Sequence, residues 1–222
     1  MRLTDLIHQV SILLSLPIAL LAGGMAAVIV IARDWRLVLF CYALLSATLA
    51  MLLAQVVPVE WGLLQAIVGG LVALICYRSA RQVQGLTRTA LLPDDGGQDI
   101  GLWPQMASLT SFRLMTVALL AVALFALRDQ VHLPQLSPLL RDVVLWLAMV
   151  SLLGLALHEE PLHAGLALLT GLGGAELLLF TLIQRRMLVG LVMGGQVLLG
   201  LVVAYLVLAR GLAGTVHSGR EI

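Results

Sequence analysis

The sequence predicts an all-α, polytopic membrane protein, and three observations support that class. Of 222 residues, 61% are hydrophobic and only 11% are charged, where a soluble domain carries about 25% charged residues. Mean hydropathy is +1.05. Seven apolar runs reach or approach the roughly 20 residues that cross a bilayer, and polar connections separate them.

The first run, about residues 10–32, follows a segment that sets Arg2 against Asp5. "LLAGGMAA" resembles a signal-peptide cleavage site. The apolar stretch nevertheless continues to Ala32, long enough to span, so an anchored first helix is expected. "RDWR" leads into the second run (37–57) and "PVE" into the third (60–77). Connections this short join antiparallel neighbours. Residues 78–107 are long and polar. Within them, "ARQVQGLTRTALL" (79–91) places Val83, Leu86 and Ala90 on one helical face, with Arg81 and Arg88 on the other. That pattern predicts a helix lying on the inner membrane surface, although it would also fit a docking face for a soluble partner. "PDDGGQD" reads as a turn and Trp103 as an interfacial anchor. The fourth run (108–127) stands alone. An intermediate connection, 128–138, leads to runs 139–157, 162–183 and 187–209, which "HEEP" and "QRR" join tightly.

The chain thus divides into a three-helix unit (1–78), a cytoplasmic loop carrying the surface helix (79–107), a bridging helix (108–127), a second three-helix unit (139–209) and a tail (210–222). One bridging helix gives both units the same orientation, so the plan is a 3+1+3 parallel repeat. Faint echoes agree. "ALLSA" of helix 2 recurs as "ALLTG" in helix 6, and "QAIVGGLV" of helix 3 recurs as "QVLLGLV" in helix 7. The second echo pairs Gln65 with Gln196 and Gly69 with Gly200.

All thirteen basic residues are arginine. Arg33, Arg36, Arg78, Arg81, Arg88, Arg113, Arg210 and Arg220 fall on one side, and Arg2, Arg128, Arg141, Arg185 and Arg186 on the other. The positive-inside rule then sets the N-terminus outside and the C-terminus in the cytoplasm, in the inner (plasma) membrane. A net charge of +1 gives no electrostatic case for nucleic acid. Cys41 and Cys76 sit inside apolar runs without metal-ligand spacing and read as small buried hydrophobes.

The stretch "LALHEEPLHAGLALL" (155–169) comes close to a zinc-protease HExxH motif and to the EExxxR signature of membrane-embedded CAAX-type proteases. HExxH sets its histidines four apart on one helix face. His158 and His163 are five apart with Pro161 between them, and no arginine completes the second pattern. The segment therefore reads as a helix–helix connection, with Glu159 and Glu160 placed where the dipole of helix 6 favours negative charge. No catalytic residue, metal site or cofactor is expected.

Glu176, in "GLGGAELLLF", is the only acid deep within any run. An ionised carboxylate at that depth is costly, so the group should be protonated, paired or facing a wet cavity. A turn near Arg185 and Arg186 brings Gln196 to a similar depth. Gly171, Gly173 and Gly174 on helix 6, with Gly190, Gly194 and Gly195 on helix 7, predict close approach of those two helices. Two roles remain open for the Glu176–Gln196 pair: helix glue, or a proton relay.

Residues 139–209 resemble the small three-helix K subunit of bacterial complex I and its relatives, the C subunits of Mrp antiporters. The likeness lies in the short first connection, the polar-studded second helix, and the last-helix pattern that here reads "MGGQVLLGLVVAY". In overall layout the chain is most similar to component E of hydrogenase-4 and formate hydrogenlyase complexes, and "DWRLVLFCYALLS" is similar to the opening of that family's second helix. The resemblance implies a non-catalytic membrane subunit that scaffolds larger antiporter-like subunits in the bilayer. It also departs from the family. The last-helix glutamate corresponds to Gln196, and the second-helix glutamate falls near Thr170 to Gly173, where no acid stands. Glu176 lies about one turn later. The alternative is a small 3+1+3 transporter resembling the SWEET sugar carriers, acting alone or as a homo-oligomer. Those carriers hinge on several prolines within helices, and here only Pro17 lies well inside a run.

Overall fold

The computed structural model describes the chain at residues 3–55, 57–90, 103–128, 130–131, 136–182 and 186–218, with side chains at 16–55, 57–84, 111–128, 130–131, 136–182 and 190–211. Seven helices follow in order among the described residues: α1 (Leu3–Ile31), α2 (Trp35–Leu53), α3 (Val59–Ala90), α4 (Trp103–Leu127), α5 (Pro138–Leu157), α6 (Pro161–Leu182) and α7 (Arg186–Ser218). Their starts follow local chemistry. The Asp34 carboxylate accepts from the backbone N–H of Arg36 at 3.1 Å to open α2. The Ser137 hydroxyl caps α5, with Pro138 in its first turn. Pro161 opens α6, where its missing N–H costs nothing.

Five helical segments are long and apolar enough to cross a membrane: Trp35–Leu53, Val59–Gln84, Pro138–Leu157, Pro161–Leu182 and Gly190–Gly211. Leu16–Ile31 and Ser111–Leu127 are shorter apolar helices. The outward side chains agree with a lipid or protein surround rather than water: Met115 and Leu191 are each 73% exposed.

One sequence expectation needs correction. Residues 79–90 do not form a separate surface helix but continue α3 without a break. The stripe of Val83 fits a simpler purpose. Gly211 of α7 faces the Val83 side chain, where an added Cβ would come within 2.7 Å. At 32 and 33 residues, α3 and α7 run about 48–50 Å, well beyond the roughly 30 Å hydrocarbon core. They therefore stay paired past one end of the bundle. The expected "PDDGGQD" turn lies outside the described residues, and the side chain of Trp103 is likewise not described.

The helices form two rows of three. In the first row α2 packs on both α1 and α3, and in the second α6 packs on both α5 and α7. Across the rows α1 meets α5, α2 meets α6 and α3 meets α7, while among the described residues α4 touches α5 and α1. Close approach between the rows depends on glycine at each crossing. Trp146 of α5 donates its indole N–H to the Gly23 carbonyl of α1 at 2.9 Å. Gly173 of α6 lies against Leu49 of α2, and Gly200 of α7 against Val72 of α3. Leu45, Leu52, Leu147, Leu166 and Leu169 fill the core between them.

Candidate functional site

Several polar side chains buried in the bundle bond their own helix. The Thr48 hydroxyl donates to the Leu45 carbonyl at 2.7 Å, and the Thr170 hydroxyl donates to the Leu166 carbonyl at 2.8 Å. Three residues instead bond side chain to side chain across helices. Gln65 of α3 donates through Nε2 to Oε1 of Gln196 on α7 at 3.2 Å. Gln196 in turn donates through its own Nε2 to Oε2 of Glu176 on α6 at 2.7 Å. All three are essentially inaccessible, with exposures of 3%, 1% and 2%. The result is a one-way chain of donors, α3 to α7 to α6, that ends on a carboxyl group.

The topology sets its depth. Glu176 precedes the end of α6 at Leu182 by six residues, and Gln65 follows the start of α3 at Val59 by six. At 1.5 Å per residue, each is about 9 Å from that end of the bundle. Gln196, ten residues into α7, is about 15 Å in. Within the apolar interior every hydrogen bond forgone is expensive. Yet Oε1 of Glu176 and Oε1 of Gln65 are buried with no partner among the described residues. The chain is therefore tied together at its middle and unsatisfied at both ends, and Glu176 Oε1 is the free oxygen that could carry a proton.

The glycines expected to bring α6 against α7 do other work. A Cβ on Gly171 would meet the Ser151 side chain, and one on Gly174 would come within 3.0 Å of Leu147 Cβ, both on α5. Among the described residues nothing lies within 4 Å of a Cβ on Gly190, Gly194 or Gly195. The close α6–α7 contact is instead at Gly165, which faces Val203. The error is a matter of helical phase: Glu176 turns toward α7, while the glycines two to five residues before it turn toward α5 and α2. Gln65 was not foreseen in the site. The faint echo of "QAIVGGLV" in "QVLLGLV" sets it in the place equivalent to Gln196, which says nothing of contact between the two.

The second polar cluster lies at the opposite end, in the α5–α6 connection. His158 caps α5, and the break before Pro161 lets its ring stack on that of His163, with centroids 5.0 Å apart and planes 6° from parallel. Nδ1 of His158 lies 3.0 Å from the Gly154 carbonyl, so the neutral ring carries its proton there. His163 Nδ1 lies 2.9 Å from Glu160. Arg210 of α7 donates to the Glu159 carbonyl at 2.8 Å and ties down the turn. Flat-stacked rings do not converge on one ion, so the cluster does not have the geometry of the near-match motif. No family model, curated protein or solved structure matches the chain.

Proposed function

We propose that the protein is a non-catalytic subunit of a complex I-like, group 4 hydrogenase-like or Mrp-like membrane assembly, set against larger antiporter-type subunits. In this reading all seven helices span, with the N-terminus outside and the C-terminus in the cytoplasm. One observation carries the reading: a carboxyl, the one buried acid among the described residues, that ends a chain of two amides inside a bundle whose outward side chains are apolar. A lone carboxyl with amide partners has no nucleophile–base pair and no converging charges for covalent chemistry. It can brace three helices, and it can hold or release one proton. Both are tasks for a component of an ion-moving assembly.

The transporter alternative is less well supported. A substrate path between the two rows would run where Trp146 meets Gly23, Leu49 meets Gly173 and Val72 meets Gly200.

Two measurements test the proposal. After mild solubilisation the protein should co-purify with larger membrane subunits; a stable, solitary 23.7 kDa species would contradict it. In the parent assembly, Glu176→Gln should preserve assembly because it preserves an acceptor for Gln196. Ion translocation by that variant then separates the two roles of Glu176: retained pumping assigns it to bracing, and lost pumping with intact assembly assigns it to proton transfer.

A further inference from the structure

At the end of the bundle opposite Glu176, α3 leaves its apolar stretch through Tyr77, Arg78, Arg81 and Gln82, and these four side chains line one open groove of about 320 Å³. Both arginines are exposed. Neither has a hydrogen-bond or ion-pair partner among the described residues. The first residue of α2 closes the neighbouring side: the Trp35 ring lies 5.6 Å from Tyr77, and the Arg36 guanidinium sits 5.4 Å from the Trp35 centroid. Paired tryptophan and tyrosine rings mark the headgroup level of a bilayer. Arg78 is also the first charge that α3 meets after Glu60, so the groove opens where hydrocarbon gives way to phosphate.

From this geometry we infer a binding site for the phosphate of an anionic membrane phospholipid. The unpaired guanidinium forks of Arg78 and Arg81 would grip the phosphate oxygens, with Tyr77 and Trp35 against the glycerol and upper acyl segments. Guanidinium suits this ligand because its planar donors match phosphate oxygens two at a time. Gln82 adds a neutral polar group to the same groove. The ligand chemistry is a phosphate anion, and its depth selects a lipid over a soluble ion, because the groove floor belongs to the interfacial layer. In the orientation proposed above, this end of the bundle faces the cytoplasm, where anionic lipid concentrates. The inference does not depend on the parent assembly.

The test is native mass spectrometry of the full-length protein in mild detergent, titrated with phosphatidylglycerol, with phosphatidylcholine of the same acyl chains, and separately with inorganic phosphate. Phosphatidylglycerol should be retained preferentially. The paired variant R78Q/R81Q should reduce its affinity by roughly thirtyfold, the effect expected for two basic residues at a membrane surface. R78K/R81K should keep part of that affinity, since charge survives and the fork does not. R128Q, at the other end, should leave it unchanged. Equal retention of the two lipids by the native protein would overturn the inference, as would a preference that survives R78Q/R81Q. So would an equal loss in R128Q, which would mark a general charge effect. Inorganic phosphate binding as tightly as phosphatidylglycerol would overturn the lipid assignment.

Discussion

Replacing Gln196 by leucine tests the polar chain at its one doubly engaged member. Gln196 accepts from Gln65 at 3.2 Å and donates to Glu176 at 2.7 Å. Leucine keeps comparable bulk but strands two buried groups, Nε2 of Gln65 and Oε2 of Glu176. Each stranded group costs about 1–3 kcal/mol. Hydrogen bonds inside membranes measure lower, about 0.6 kcal/mol on average and about 1.7 at most, so about 2 kcal/mol in total is the expected loss. Gln65→Leu strands only Gln196 Oε1 and should cost about half as much. The two changes are therefore coupled. Once Gln196 is gone, removing Gln65 also removes a stranded donor, and the double variant should cost less than the sum of the single ones. The assay is reversible unfolding in mixed micelles, followed by loss of helical signal. A Gln196→Leu cost no larger than that of Gln65→Leu, or a strictly additive double variant, would refute the chain as an energetic unit.

Three further outcomes are expected. Gly200→Ala should weaken the α3–α7 contact, because its Cβ would come within 2.8 Å of Val72 and overpacking of this kind costs about 1–3 kcal/mol. Gly194→Ala, with open space around it, should be neutral or slightly stabilising in the same unfolding assay. Burial lowers the pKa of His158 from its ordinary value near 6.5, with the Gly154 carbonyl opposing that shift and the charges of Arg113 and His163 adding to it. The unfolded chain then takes up the proton more readily, so stability is full above the unfolded value and falls as pH drops below it. Melting temperature measured from pH 7.5 to 5.5 should decline, and less steeply in His158→Gln. In a background lacking Cys41 and Cys76, a cysteine at Ser137 should label from outside and one at Glu159 from inside; the reverse pattern would overturn the orientation.

The fold was legible in outline because hydrophobic length is a one-dimensional property. Each of the seven helices overlaps one of the apolar runs, and "RDWR", "PVE" and "HEEP" each straddle the start of a helix. Helix ends beyond the hydrocarbon were not legible. The expected third helix stops at Tyr77 because its apolarity stops there, yet α3 continues to Ala90. A helix that leaves the membrane keeps its backbone bonds as long as a neighbour covers its side, and α7 does so, with Gly211 facing Val83.

The candidate site shows the same division more sharply. Cost identified Glu176: a carboxyl deep in an apolar run must be accommodated, whatever surrounds it. Hairpin arithmetic brought Gln196 to its depth, because a short α6–α7 connection fixes relative height. Neither argument fixes helical phase, which decides the neighbour that each face meets. Gly171 and Gly174 share a helix with Glu176 but face α5, about two-fifths of a turn away around the helix. Phase depends on every helix packed around α6, and a pattern of small residues along one chain does not contain that information. Gln65 was out of reach for the same reason. It is 131 residues from Gln196 in sequence, and only the side-by-side placing of the two rows brings α3 against α7. That placing turns a two-residue contact into a chain across three helices. It also makes Gln196, rather than the acid, the residue whose loss should disturb the bundle most.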